Sequence, residues 1–399
     1  MTSLFTRAVH AGERLPAPDY TPTTTPIHPA VTYLYDAMED LDAVLGRARD
    51  GFVYRRYGNP TTHAFEVALA DLENADVALT YASGMAAMVA ALLAAGVQAG
   101  ARVVAARDCY GATYTLLDRL LKEQGVTTHF VDVTNLDEVA AVLRATAPTV
   151  LVCETISNPL LKVANVPALV NLAHAAGAMV VVDSTFTTPY LLRPLEHGAD
   201  FVVHSVTKYI GGHDDVLGGA VVTGRVHEAR LTDQLKMLGA NFSPFEAWLA
   251  LRGLKTLPLR MRQHCASALQ VAAWLGAHPR VAQVNYPGLP GHPQHAVAAQ
   301  LLQAPDGQSA YGGMVSFVIR DAGQAQVRRF LERARLLLTG TSLGDVYSLL
   351  LYPVMASHRA LTPAQRAQVG IGEGLVRLSV GIEEPADIIA DLAQALEAD

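Results

Sequence analysis

The sequence predicts an α/β protein: a large domain built on a mostly parallel sheet, followed by a smaller α+β domain at the C-terminus. Three observations lead there. Between Asn59 and Lys255, short apolar runs alternate with longer segments of helical spacing, and continuous apolar strands of that kind belong to sheets covered on both faces. After Pro258 the alternation stops, and one long helical segment leads into scattered strands. At 399 residues the chain is also long for a single core, so two domains are expected.

Taken in order, residues 1–58 have a texture of their own. Pro16, Pro18, Pro22, Pro26 and Pro29 fall among Thr21, Thr23, Thr24 and Thr25, which excludes a regular helix in that stretch. Residues 59–257 form the large domain, with strands expected at Val77–Tyr81, Arg102–Ala106, Thr128–Val133, Val150–Glu154, Met179–Asp183 and Phe201–Ser205. Thr113–Gln124 and Leu136–Ala145 read as helices, and Gly218–Val222 as one further, antiparallel strand. Residues 258–399 form the second domain. Its elements are a helix Arg260–Leu275, strands near Val284, at Val315–Ile319 and at Val376–Val380, and helices Gln324–Ala334 and Pro385–Ala398.

Composition narrows the function. The longest apolar run, Met85–Ala95, is too short to span a bilayer, and Met1–His10 carries no apolar signal core. Three irregularly spaced cysteines (Cys109, Cys153, Cys265) suit a reducing cytoplasm and offer neither a disulfide framework nor zinc spacing. A net charge of -7 without a basic run argues against a nucleic-acid partner. Gly211-Gly212-His213-Asp214-Asp215 lacks a second histidine at ligand spacing and reads as a glycine-rich loop, so no metal is expected. These features describe a soluble, cytoplasmic protein that handles a metabolite.

Which metabolite chemistry is indicated by Lys208, in His204-Ser205-Val206-Thr207-Lys208-Tyr209, and by Asp183, which ends the apolar run before it. A lysine can hold the aldehyde of pyridoxal 5'-phosphate as a Schiff base, and a carboxylate can keep the pyridine nitrogen protonated so that the ring accepts electrons. Both follow strand-like runs, where open α/β sheets place their ligands. Ser83-Gly84-Met85 opens a helix after a strand, and backbone N–H groups at a helix start attract phosphate. Ser205 and Thr207 offer hydroxyls to the same phosphate. Each feature alone has an ordinary explanation: a solvated lysine, a capping aspartate, a strand-to-helix turn.

Together with Tyr54-Arg55-Arg56-Tyr57-Gly58-Asn59-Pro60-Thr61, Asp108-Cys109-Tyr110-Gly111 and Gly374-Leu375-Val376-Arg377-Leu378-Ser379, these motifs carry a resemblance. The chain resembles the Cys/Met-metabolism family of pyridoxal phosphate enzymes, which includes methionine γ-lyase, the cystathionine lyases, cystathionine γ-synthase and the O-acylhomoserine sulfhydrylases. The match runs over nearly the whole chain. It implies the aspartate-aminotransferase-like fold (fold type I) and an N-terminal arm that contacts a neighbouring subunit through Val31, Tyr33, Leu34 and Tyr35. It also implies a homotetramer, a dimer of dimers, with shared sites. Gly84, Met85, Ser205 and Thr207 match phosphate-binding positions, while Tyr54 and Arg56 match a pair that reaches the phosphate of the adjacent subunit. Tyr110 matches the tyrosine that stacks on the ring and moves a proton. Arg377, assisted by Asn158 and Ser342, matches the site for the substrate α-carboxylate, and a guanidinium fork suits such a group.

The resemblance implies a carbon–sulfur lyase in which Lys208 acts as a neutral base, titrating well below a free lysine. Thr341 stands where cystathionine-specific members carry a glutamate, and Ala112 where methionine γ-lyases carry a cysteine. Ser342-Leu343-Gly344-Asp345 is similar to the methionine γ-lyase version. The expected reaction is α,γ-elimination on methionine or homocysteine, giving 2-oxobutanoate, ammonia and a thiol. Cystathionine γ-lyase, a γ-replacement enzyme (cystathionine γ-synthase or O-acylhomoserine sulfhydrylase) and a non-catalytic pyridoxal phosphate binder are the alternatives.

Overall fold

A computed structural model describes residues 2–11, 22–356, 359 and 362–397. Pro16, Pro18 and Thr21 of the proline-rich stretch, and Ala398 at the end of the last expected helix, lie outside the described residues.

A seven-stranded sheet is formed by β1 (Val77–Tyr81), β2 (Arg102–Ala106), β3 (Thr127–Val131), β4 (Val150–Glu154), β5 (Met179–Asp183), β6 (Phe201–Ser205) and β7 (Gly219–Thr223), all in the segment expected to form the large domain. Their order across the sheet is β1-β7-β6-β5-β4-β2-β3, with β3, β2, β4, β5 and β6 parallel and β7 antiparallel to both neighbours. The central strands are buried along almost their whole length because helices cover both faces, which is why they read as unbroken apolar runs. β3 stops two residues earlier than the sequence predicts. Asp132 turns back to accept the N–H and hydroxyl of Thr134 at 3.0 and 2.7 Å and receives Lys162 at 2.9 Å, so the chain leaves the ladder there.

A second sheet, of order β10-β11-β12-β9-β8, is formed by β8 (Val281–Asn285), β9 (Met314–Ile319), β10 (Leu338–Thr339), β11 (Leu349–Leu351) and β12 (Leu375–Ser379). Arg377 sits in the middle of this sheet, in register with Leu351 on one side and Ser316 on the other.

The two parts are joined by one helix, Pro244–Ala277, whose 34 residues run straight through the break expected at Pro258. At about 1.5 Å per residue it is roughly 50 Å long. Its first half buries Ala247, Leu251, Leu254 and Leu257 in the large-domain core, and its second half buries Val271, Ala272 and Leu275 in the C-terminal core. Packing on both sides carries the helix past a proline that would otherwise end it.

The start of the described chain packs against its own subunit. Leu4–His10 is a helix, and Leu4 and Ala8 are buried in the large-domain core of their own chain. Beyond it, Val31 is 43 % and Leu34 93 % exposed, whereas Tyr33 packs on Phe52 with ring centres 5.8 Å apart and Tyr35 donates to the Phe52 carbonyl at 3.1 Å.

The helix Thr113–Gln124 of the sequence reading starts at Gly111 and contains one π turn, Leu116–Leu120. Among the described residues no helix is long and apolar enough to cross a membrane.

Candidate active site

The carboxyl ends of the parallel strands converge on one cavity of about 230 Å³. β5 delivers Asp183 to it, β6 delivers Ser205 and the turn bearing Thr207 and Lys208, β4 delivers Glu154, and β1 leads to Ser83-Gly84-Met85. Tyr110 arrives on the segment after β2, while Asn158, Thr341 and Arg377 close the opposite wall.

Gly84–Ala94 is a helix whose N-cap, Ser83, accepts the N–H of Ala86 at 3.1 Å. Ser83 covers one of the first-turn amides, and the start of the helix faces the cavity. The helix start is pressed against β7: a Cβ on Gly219 would meet the Ser83 carbonyl oxygen at 2.2 Å, so only glycine allows that approach. Ser205 stands beside Gly84. The hydroxyl of Thr207 is tied to Gly218, accepting its N–H at 3.0 Å.

Lys208 is half-buried, and its Nζ donates to Ser342 Oγ at 3.2 Å. Burial pulls its pKa down, Asp345 and Asp214 oppose this, and Arg377 adds to it. The direction is the one the sequence reading requires of a base. Behind Lys208, the buried Arg260 donates to the carbonyls of Tyr209, Gly253 and Ile210 at 2.6, 2.9 and 3.2 Å, fixing the turn against the long helix.

Asp183 Oδ1 accepts the N–H of Thr185 at 2.9 Å. Arg377 is 2 % exposed; Nη2 donates to the Ser342 carbonyl at 2.8 Å and Nη1 to Asn158 Oδ1 at 3.3 Å, while Nε is buried without a hydrogen-bond partner. A buried guanidinium with an unused donor can take a further acceptor, and its fork suits a carboxylate.

Tyr54 and Arg56 are not in this cavity. Arg56 donates to the Lys236 carbonyl and lies over the rings of Tyr54 and Tyr57 at 5.6 and 5.0 Å, and Tyr54 is 39 % exposed.

Two residues near the cavity had no assigned role in the sequence reading. Glu154 was visible only as the end of a strand. Asp345 is wholly buried near Lys208, with burial and Asp214 pushing its carboxyl up to about 6. The composition of the Ser342-Leu343-Gly344-Asp345 run marks it, but only the fold brings it to the lysine.

The donor set fits pyridoxal phosphate: helix-start amides with two hydroxyls for an anion, a carboxylate at a strand end for a ring nitrogen, and a lysine with a lowered pKa for an aldehyde.

Comparison with known proteins agrees. A family model described as Cys/Met metabolism PLP-dependent enzyme matches residues 5–397. L-methionine gamma-lyase of Fusobacterium nucleatum subsp. polymorphum is 39 % identical over 401 residues, covering 99 % of this chain and 98 % of that protein. Cystathionine beta-lyase of Coxiella burnetii is 39 % identical over 396 residues, covering 98 % and 97 %. The crystal structure of cystathionine gamma synthase from Xanthomonas oryzae pv. oryzae superposes with a TM-score of 0.91 at 38 % identity, covering 99 % of this chain and 98 % of that one.

Proposed function

We propose a reaction for this chain from one premise: it belongs to the Cys/Met-metabolism family of PLP-dependent enzymes and is a pyridoxal-phosphate-dependent carbon–sulfur enzyme. The reaction is α,γ-elimination on methionine or homocysteine, yielding 2-oxobutanoate, ammonia and a thiol. When bound, the cofactor supplies the electron sink that stabilises negative charge next to the amino acid's α-carbon.

The chain's own residues do the rest. Gly84, Met85, Ser205 and Thr207 hold the phosphate, and Asp183 faces the ring nitrogen. Arg377, Asn158 and Ser342 take the substrate carboxylate. Nζ of Lys208, freed when the substrate amine takes its place on the cofactor, would take the proton at Cα, return it to the bound cofactor–substrate frame, and so be free to take one at Cβ; its lowered pKa acts in the direction a base needs. The hydroxyl of Tyr110 protonates the departing sulfur.

The observation that carries the choice of substrate is the lining of the cavity. Glu154 and Asp183 are its only carboxylates among the described residues, both at strand ends, and Thr341 offers no charge for a distal ammonium. A substrate without a distal ammonium, such as methionine or homocysteine, fits that lining better than cystathionine does. Tyr54 and Arg56, absent from the cavity of their own chain, reach the phosphate of a neighbouring subunit, with the exposed Val31 and Leu34 buried in that contact. The assembly is a dimer of dimers working in a reducing cytoplasm, consistent with three buried, unpaired cysteines.

The test is a panel of methionine, homocysteine, cystathionine, cysteine and O-acetylhomoserine, scored for 2-oxobutanoate, pyruvate and released thiol. Methionine or homocysteine should give the highest kcat/KM with 2-oxobutanoate and thiol in equal amounts. A preference for cystathionine, or turnover of O-acetylhomoserine only when a thiol is added, overturns the assignment.

A further inference from the structure

Glu154 and Asp183 are opposite each other in the β4–β5 ladder. Residues in register on neighbouring parallel strands point to the same face about 4.8 Å apart, so the two carboxyls share one patch of the cavity. Glu154 is more than a wall. Its Oε1 accepts the backbone N–H of Tyr110, which brings a segment 44 residues away to the mouth of the site.

Two carboxylates sharing one buried patch resist ionising together, because each negative charge raises the other's affinity for a proton. The surroundings decide which of the two holds a proton more readily. Burial raises the Asp183 carboxyl, but its hydrogen bonds from Thr185 and the influence of His204, itself held by the buried Glu73 at 2.6 Å, pull it back toward the anion. Burial, then Asp183 and Asp108, push the Glu154 carboxyl well above the usual range, and the N–H groups of Tyr110 and Asn158 offset this only in part.

We propose that Glu154 is a positioning residue acting as the neutral member of this pair: it fixes the Tyr110 backbone over the cavity and leaves Asp183 as the single anion facing the cofactor's ring nitrogen. The inference rests on the role proposed above for Asp183. A second negative charge beside Asp183 would raise that residue's own affinity for a proton, and an empty position would let the Tyr110 segment drift.

The holoenzyme distinguishes these possibilities through Glu154→Gln, Glu154→Ala and Asp183→Asn. Glutamine keeps an oxygen for the Tyr110 N–H and an uncharged group toward Asp183. Glu154→Ala should lose about ten- to a hundredfold in kcat and weaken the visible circular dichroism of the bound cofactor, while Glu154→Gln restores kcat to within about threefold and the dichroism to the wild-type shape. A Glu154→Gln enzyme as damaged as Glu154→Ala would show that the charge on Glu154 is needed and overturn the proposal. So would a Glu154→Ala enzyme with unchanged dichroism and kcat. Should Glu154→Ala fail to fold, the glutamine variant still decides between a neutral and a charged role. Asp183→Asn tests the underlying role separately: it should lose more than about a hundredfold, and a harmless result refutes the assignment of Asp183 itself.

Discussion

Arg377→Lys keeps the positive charge on β12 and removes the fork. In the native site the guanidinium is 2 % exposed, uses Nη1 and Nη2 on Asn158 and Ser342, and leaves Nε buried and unpaired. Burial without a neighbouring carboxylate lowers its pKa to about 10, an energetic cost that a bound substrate carboxylate offsets. A lysine reaches one carboxylate oxygen where the fork reaches two. One charge-assisted hydrogen bond is worth about 1.5–3 kcal/mol, so kcat/KM should fall by roughly one to two decades. Arg377→Ala removes the cation altogether and leaves the bound carboxylate unpaired, about 3–5 kcal/mol, or two to three and a half decades. The carboxylate keeps its charge throughout the reaction, so most of the loss belongs in KM and little in kcat. Steady-state release of 2-oxobutanoate from methionine measures both. A lysine variant within about threefold of wild type, or one damaged in kcat alone, refutes the carboxylate assignment.

Four further outcomes are expected. Lys208→Ala should retain some cofactor through phosphate and ring contacts, lack the yellow colour of the lysine-linked form, and show no steady-state turnover; unchanged turnover without added amine would mean another lysine is the base. Mixing Arg56→Ala chains with Lys208→Ala chains should regenerate active sites from two intact halves, and no recovery despite confirmed subunit exchange counts against phosphate binding across the interface. Thr341→Glu should raise the cystathionine-to-methionine ratio of kcat/KM by about one to two decades, and a ratio that stays put or moves toward methionine would show that position 341 does not read the distal group. His264 is buried neutral, donating Nδ1–H to the Val380 carbonyl at 2.7 Å, and its pKa is lowered by burial to about 4 from 6.5. The unfolded chain therefore takes up a proton first as pH falls, and the stability present above pH 6.5 is lost toward pH 4. Between pH 7 and 5 wild type should lose about 2 kcal/mol relative to His264→Asn in urea titrations, and parallel pH profiles would show that His264 does not titrate this way.

The central strands β4, β5 and β6 were legible because each is a short, valine-rich apolar run buried almost throughout. The short strands of the second sheet were not. β10 has two residues and β11 three, too few to show any period. The passage of one helix through Pro258 depends on packing from both cores, which no local signal records. In the site, Lys208, Asp183 and Arg377 were legible from their residue type and their place at or within apolar runs. Glu154 was not: its partner Asp183 lies on another strand, and its bond to Tyr110 joins segments that only the sheet order brings together.

Ser342 shows why such tertiary links bear on function. Its Oγ accepts from Nζ of Lys208 and its carbonyl accepts from Arg377, so the proposed base and the proposed carboxylate site meet on one residue. The segment behind it has no room to move. Gly344 adopts a φ of 79°, and a Cβ there would meet the Tyr209 nitrogen at 2.7 Å, while Val346 N–H is bound by the Gly212 carbonyl at 3.0 Å. Thr341 precedes this fixed segment and is exposed where it enters the cavity. Exchanging its side chain should leave the Lys208–Ser342–Arg377 chain in place, whereas a change at Ser342 should act on Lys208 and Arg377 together. The expectation for Thr341→Glu is therefore a shift in the cystathionine-to-methionine ratio without an equal loss of kcat on both substrates.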